Sequence, residues 1–166
     1  METLDAAAVI DQHGLGYFRE LATFGALSDE VIIYILSEGV IRQYKSAEYI
    51  RRIDETADSF QVILQGKTAF YKHHEAHDTL TRYFNKGEQM GFDLMLGLLS
   101  HNGTDVIVDD SQILEINNAQ FFDLHIQYPA EFGLLMINLT RELSREIAML
   151  EDVIGQSSGW HQELSR

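Results

Sequence analysis

Apolar positions along the chain change their period twice, and the changes divide it into a helical start, a stranded middle and a helical end. Ala6, Ala7, Ala8, Val9 and Ile10 favour helix before Gly14 and Gly16 break it, which predicts a short helical lead. Ser28 is placed to cap a following helix, with Asp29 and Glu30 favourable to its dipole. Val31, Ile32, Ile35 and Leu36 then recur at helical spacing until Gly39. From there the period shortens to two. Tyr49–Arg51 reads as a short strand; Phe60, Val62 and Leu64 share one face of another, which Gly66 is expected to turn into a second run over Thr68–Lys72. A polar turn, His73–Asp78, leads to a strand at Leu80–Phe84. Gly87 and Gly91 bracket a short strand, and two more fit Asp105–Val108 and Gln112–Ile116. The helical period then returns. Asn117 or Asn118 caps a helix carrying Phe121, Phe122, Leu124 and Ile126, which Pro129 stops while opening the next one.

That last helix carries Phe132, Leu135, Met136, Leu139, Leu143, Ile147, Leu150 and Ile154 at spacings of three and four, a continuous amphipathic stripe. The expected organisation is a helical lead over 1–23, a β-roll over 24–128, a long helix over 129–154 and a flexible tail over 155–166, where Gly155, Ser157, Ser158 and Gly159 loosen the chain and Trp160 is the large side chain. The fold class is α+β: a jelly-roll (double-stranded β-helix) with N-terminal helices, a short embedded helix and a long C-terminal helix. The stripe is longer than one small roll covers at about 1.5 Å per residue, so part of it is expected to serve a homodimer or a protein partner.

Charge narrows the function. The chain of 166 residues has 12 Lys and Arg against 26 Asp and Glu, a formal net charge of −14. Such acidity repels nucleic-acid backbones and anionic membrane surfaces. The apolar fraction of 45% is that of a chain with a core, and the absence of cysteine excludes disulfides and thiol nucleophiles. The start, METLDAAAVID, lacks the basic region and apolar run of a signal peptide, so a cytoplasmic protein is expected. The charge is also uneven. Between Lys86 and Arg141 there is no Lys or Arg, while Glu88, Asp93, Asp105, Asp109, Asp110, Glu115, Asp123 and Glu131 all fall there.

The order of elements, together with Phe24–Leu27, Lys45–Ile50, Phe60–Gly66, Gly87–Gly91 and Phe121–Pro129, resembles the cyclic nucleotide-binding domain of the catabolite activator protein family over residues 24–154. Phe-Gln-Val-Ile-Leu-Gln-Gly is similar to the family's strand pattern ending in Leu-x-Gly, and Gly87-Glu88-Gln89-Met90-Gly91 to the lead into its phosphate cassette. The resemblance implies a regulatory ligand pocket at Gly91, Phe92, Asp93 and Leu94 with Asn102, Gly103 and Thr104. It also implies a ribose-binding Glu, where this chain has Phe92, and about ten residues later a phosphate-binding Arg, where it has Asn102. Ala47 stands where the family usually has Gly. The cassette therefore reads as degenerate, with no cofactor required. The expected function is a non-catalytic signalling module working through protein–protein contacts; the alternative is a cyclic nucleotide (cAMP or cGMP) sensor whose phosphate partner is Arg82 or Lys86. The family's DNA-binding regulators carry a helix-turn-helix after the long helix, and the 12 residues beyond Ile154 do not accommodate a recognition helix.

Other chemistry is sparse. His73, Glu75 and His77 alternate as metal ligands do, but the run reads as a solvated turn, and no metal site is expected. His101 and His125 read as surface or core residues. There is no Gly-x-Ser-x-Gly elbow, P-loop or dinucleotide fingerprint, so no catalytic residue is assigned.

Overall fold

The computed structural model describes residues 2–157. Its elements are β1 (Glu2–Leu4), α1 (Ala6–His13), α2 (Leu15–Arg19), a 3₁₀ turn (Ala22–Phe24), α3 (Asp29–Glu38), β2 (Val40–Tyr44), β3 (Tyr49–Arg51), β4 (Ser59–His74), β5 (His77–Asn85), β6 (Gln89–Met90), α4 (Phe92–Gly97), β7 (Gly103–Asn117), α5 (Asn118–Gln127) and α6 (Pro129–Ser157). The strands form an antiparallel β-roll in the order β1-β2-β7-β4-β5, with β3 added to β7 and β6 to β4. Helices stand at both ends.

Two strands carry the roll. β4 and β7 pair from Ser59↔Asn117 to Lys72↔Gly103, with the register shifting between Ile63 and Thr68. The turn expected at Gly66 is instead a bulge within one continuous strand, and the two strands expected over 105–108 and 112–116 are one. At the bulge Gly66 has φ +98°, and a Cβ there would lie 2.1 Å from Ser111 Oγ and 2.7 Å from Asp110 O. Only glycine lets β4 bend here while lying against β7. A one-residue irregularity and a chain reversal leave the same glycine signal in sequence.

The local signals at the helices hold. Ser28 Oγ accepts from Val31 N–H, and Asn117 caps α5 in a capping box with Gln120. The lead is more varied than expected. It begins with β1, which pairs with β2, and β2 itself lacks an apolar alternation that would have marked it. Val9, Phe18 and Leu21 join the main core with Phe24, Val31, Ile35, Phe60, Phe92, Leu114 and Phe121. A second cluster, Tyr44, Ile63, Phe84, Met90, Ile107 and Ile113, fills the roll, with Ile50 and Phe70 against it.

α6 docks by its first half. Leu135 and Leu139 are fully buried, with Phe132, Met136 and Leu143 packed beside them. Asn138 Nδ2 donates to Gly25 O at 2.7 Å and Thr23 O at 3.2 Å. Past the roll the stripe runs on through exposed positions: Ile147 and Val153 are 58% and 56% exposed. The helix runs to Ser157 rather than ending at Ile154; the rest of the expected tail, with Trp160, lies outside the described residues. No helix among the described residues is long and apolar enough to cross a membrane.

Candidate functional site

A cavity of about 340 Å³ opens in the half of the roll formed by β3, β5 and the outer parts of β4 and β7, beside α4. Strand alternation selects its lining. Phe70 and Phe84 reach toward the inner cluster, and Lys72 and Arg82 lie two residues further along the same two strands, so their charged ends line the cavity. Arg51 comes from β3, Asp105 from β7, Gly91, Asp93 and Leu94 from the start of α4, and His101 and Asn102 from the loop after it. Glu146, Met149 and Leu150 approach from α6.

The sequence expectations divide here. Gly91, Asp93, Leu94, Asn102 and Arg82 do line the cavity; Phe92, Gly103 and Thr104 do not. Phe92 is fully buried in the main core, its ring edge-to-face with Phe60 at 5.4 Å and Phe121 at 5.7 Å. It therefore does not fill the pocket, because the first residue of α4 points toward the helices rather than the cavity. Gly103 is consumed by the pairing of β7 with Lys72 on β4. Lys86 is exposed and lies over the Tyr17 ring at 4.6 Å, outside the cavity lining. Of Arg82 and Lys86, only Arg82 lines the cavity.

The cations that sequence spacing did not place come from other strands. Arg51 is 7% exposed and Asp105 1%. Arg51 Nε donates to Asp105 Oδ2 at 2.9 Å, Nη2 lies 2.6 Å from the same oxygen, and Nη1 donates to Met90 O at 3.4 Å. Asp105 Oδ1 is buried without a hydrogen-bond partner among the described residues. The pair is 54 residues apart in sequence yet adjacent in register, because β3 pairs with β7 at these two positions. Gly91, at φ +78°, passes so close that a Cβ would sit 1.9 Å from Arg51 Nη1, so the start of α4 is seated on the guanidinium.

Arg82 is paired too. Its guanidinium stacks on Phe84 at 4.3 Å and forms an ion pair with Glu146. Lys72 has no ion pair among the described residues. His101 is buried at the edge of the site; its backbone bonds Glu55 and Asp54, both at 2.9 Å. Burial first, and then the Arg51 charge, hold its ring below the usual histidine range. His73 Nδ1 lies 2.9 Å from Asp78 Oδ1 at the exposed hairpin, and no group of three His, Cys, Asp or Glu among the described residues is arranged to hold a metal.

One further carboxylate fixes the helix that covers the cavity. Glu142 on α6 is 3% exposed. Gln89 N–H donates to its Oε2 at 2.9 Å, and Thr23 Oγ1 lies 3.0 Å from its Oε1. Burial pushes its carboxyl above the usual range, against the opposing effect of those two donors.

A β-roll with a cavity beside a short helix, and a long helix leaving over it, is the architecture of the cyclic nucleotide-binding fold. The family model of the cyclic nucleotide-binding domain matches residues 41–128, just over half of the sequence, and the chain belongs to that family. Such domains are generally regulatory rather than enzymatic. Solved structures agree on the fold. A cyclic nucleotide-binding domain from Methylobacillus flagellatus superposes with a TM-score of 0.81 at 15% identity, covering 96% of this chain and 91% of its own. Thermus thermophilus catabolite activator protein gives 0.67 at 18% identity, covering 81% of this chain; the match spans 63% of that protein's length. The regulatory domain of Toxoplasma gondii PKA, crystallised with cAMP, gives 0.67 at 12% identity over 84% of this chain and 52% of its own. No curated protein matches the sequence.

Proposed function

We propose that this chain is a non-catalytic, cytoplasmic regulatory module whose pocket is neutralised by its own carboxylates and whose output passes through protein contacts along α6. One observation carries the reading: each pocket arginine already has an acidic partner, Asp105 for Arg51 and Glu146 for Arg82. Asp93 lines the same cavity, so three carboxylates face the three cations Arg51, Lys72 and Arg82. A cyclic phosphate entering this site must displace a carboxylate that then stays nearby, which cancels the charge-assisted bonds worth about 1.5–3 kcal/mol that an unpaired arginine would supply. Titration calorimetry with cAMP and cGMP is expected to show dissociation constants no tighter than about 1 mM, equivalent to about −4 kcal/mol. Low-micromolar binding of either would overturn this and favour the second reading, a cyclic nucleotide sensor. Lys72, with no ion pair among the described residues, is the feature that supports that second reading.

The output surface we assign is the uncovered end of α6, either to a second copy or to a protein partner. Leu135 and Leu139 are taken by the chain's own core, whereas Ile147 and Val153 lie exposed beyond it. The double substitution Ile147→Asp/Val153→Asp is expected to leave the thermal transition within a few degrees of wild type and to convert dimer to monomer in light scattering. A wild-type protein that is already monomeric at high concentration removes the homodimer and leaves the partner surface.

A further inference from the structure

The pocket's outer corner is built from β5 and α6, which meet at one guanidinium. Arg82 on β5 is 12% exposed at its side chain, its flat face lies against Phe84, and its Nη1 is buried. The charge meeting Nη1 is the Glu146 carboxylate from α6, itself 27% exposed. Met149 and Leu150, three and four residues on and so on the same face of the helix, line the cavity with Phe70, Phe84 and Leu94. α6 thus brings to the cavity a single negative charge on two acceptor oxygens, followed by apolar surface. Those are also the attributes of a small monoanionic ligand with an apolar body.

We infer that Glu146 is an internal stand-in for a ligand oxyanion at Arg82, so that the end of α6 and a bound monoanion compete for one site. The inference rests on the reading of a self-neutralised pocket and assigns its regulation. Glu142, one turn earlier, is clipped to Gln89 and Thr23 in the core and does not line the cavity. The competition therefore acts on the helix beyond residue 142 and leaves its docked half in place. When an anion takes Arg82, the helix from Glu146 onward loses its ion pair, and Met149 and Leu150 come away with Ile147 and Val153. Occupancy of the pocket is converted into availability of the α6 surface.

The test uses the full chain as wild type, Glu146→Gln and Arg82→Gln/Glu146→Gln, with cAMP as the probe. Glu146→Gln keeps the size of the side chain and removes the competing charge. It is expected to bind cAMP at least about tenfold more tightly than wild type, the effect of one charge-assisted contact. The double variant is expected to lose that gain. Hydrogen exchange read by mass spectrometry should quicken over residues 146–157 in Glu146→Gln and stay unchanged over 132–142. Wild-type affinity in Glu146→Gln, or unchanged exchange over 146–157, overturns the competition. If wild type also binds only weakly, the neutral-pocket reading survives that result; if wild type itself binds at low micromolar concentration, both fall together.

Discussion

Replacing Arg51 with Met is expected to destabilise the fold by about 3–5 kcal/mol, measured as a lowered denaturant midpoint, and to do so far more than any surface charge substitution. The cost comes from what stays behind. Asp105 is 1% exposed, and its Oδ2 receives both Arg51 contacts while Oδ1 has none, so loss of the guanidinium strands a buried carboxylate. Removing both members tests this account. Arg51→Met with Asp105→Leu is expected to recover most of the loss, because an apolar pair needs no compensating charge. If the double variant is as unstable as the single one, the pair's value lies in the bond to Met90 O and in the seat it makes for Gly91. The ion pair between Lys45 and Asp110 is a useful contrast. Both side chains are more than half exposed there, and Lys45→Met is expected to leave the denaturant midpoint close to wild type.

The difference between these two pairs also explains what the sequence revealed. Caps, helix stripes and glycine stops are read over three or four residues, so Ser28, a cap at Asn117 or Asn118, Pro129 and the stripe Leu135–Leu139–Leu143 are legible in the chain alone. The pocket was legible only where it is local. Gly91, Asp93 and Leu94 follow one another, and Arg82 is two residues from the buried Phe84. Arg51 and Asp105 meet through a pairing of β3 with β7 that no short window contains, and residues 87–140 carry no sign of a cation supplied by residue 51. Lys72 did carry a usable signal, since it shares a strand face with Phe70. Phe92 misled for a related reason. Its position in a motif indicated the pocket, but the orientation of the first turn of α4 sends the ring toward Phe60 and Phe121. Apolar residues near a ligand motif belong to whichever core their element faces, and that is settled by tertiary packing.

Glu142 is expected to give opposite results for two substitutions that both remove its charge. Glu142→Ala should lower stability by about 2–4 kcal/mol, because Gln89 N–H loses its acceptor and Thr23 loses a partner in a dry interface. Glu142→Gln should match or exceed wild type at neutral pH. Its amide oxygen can accept from Gln89 N–H, while its NH₂ donates to Thr23 Oγ1, whose own proton is then free for Gly87 O at 2.9 Å. The pH dependence follows from burial. The folded-state pKa of Glu142 is raised, so its contribution to stability is fully present below the unfolded value, about 4.3, and is lost as pH rises through the folded value. Denaturation midpoints of wild type and Glu142→Gln should therefore converge in acid and separate in favour of Gln as pH rises through that window. A difference that stays constant with pH would mean that Glu142 is not desolvated in the folded state, and that α6 is held over the roll by its apolar face alone.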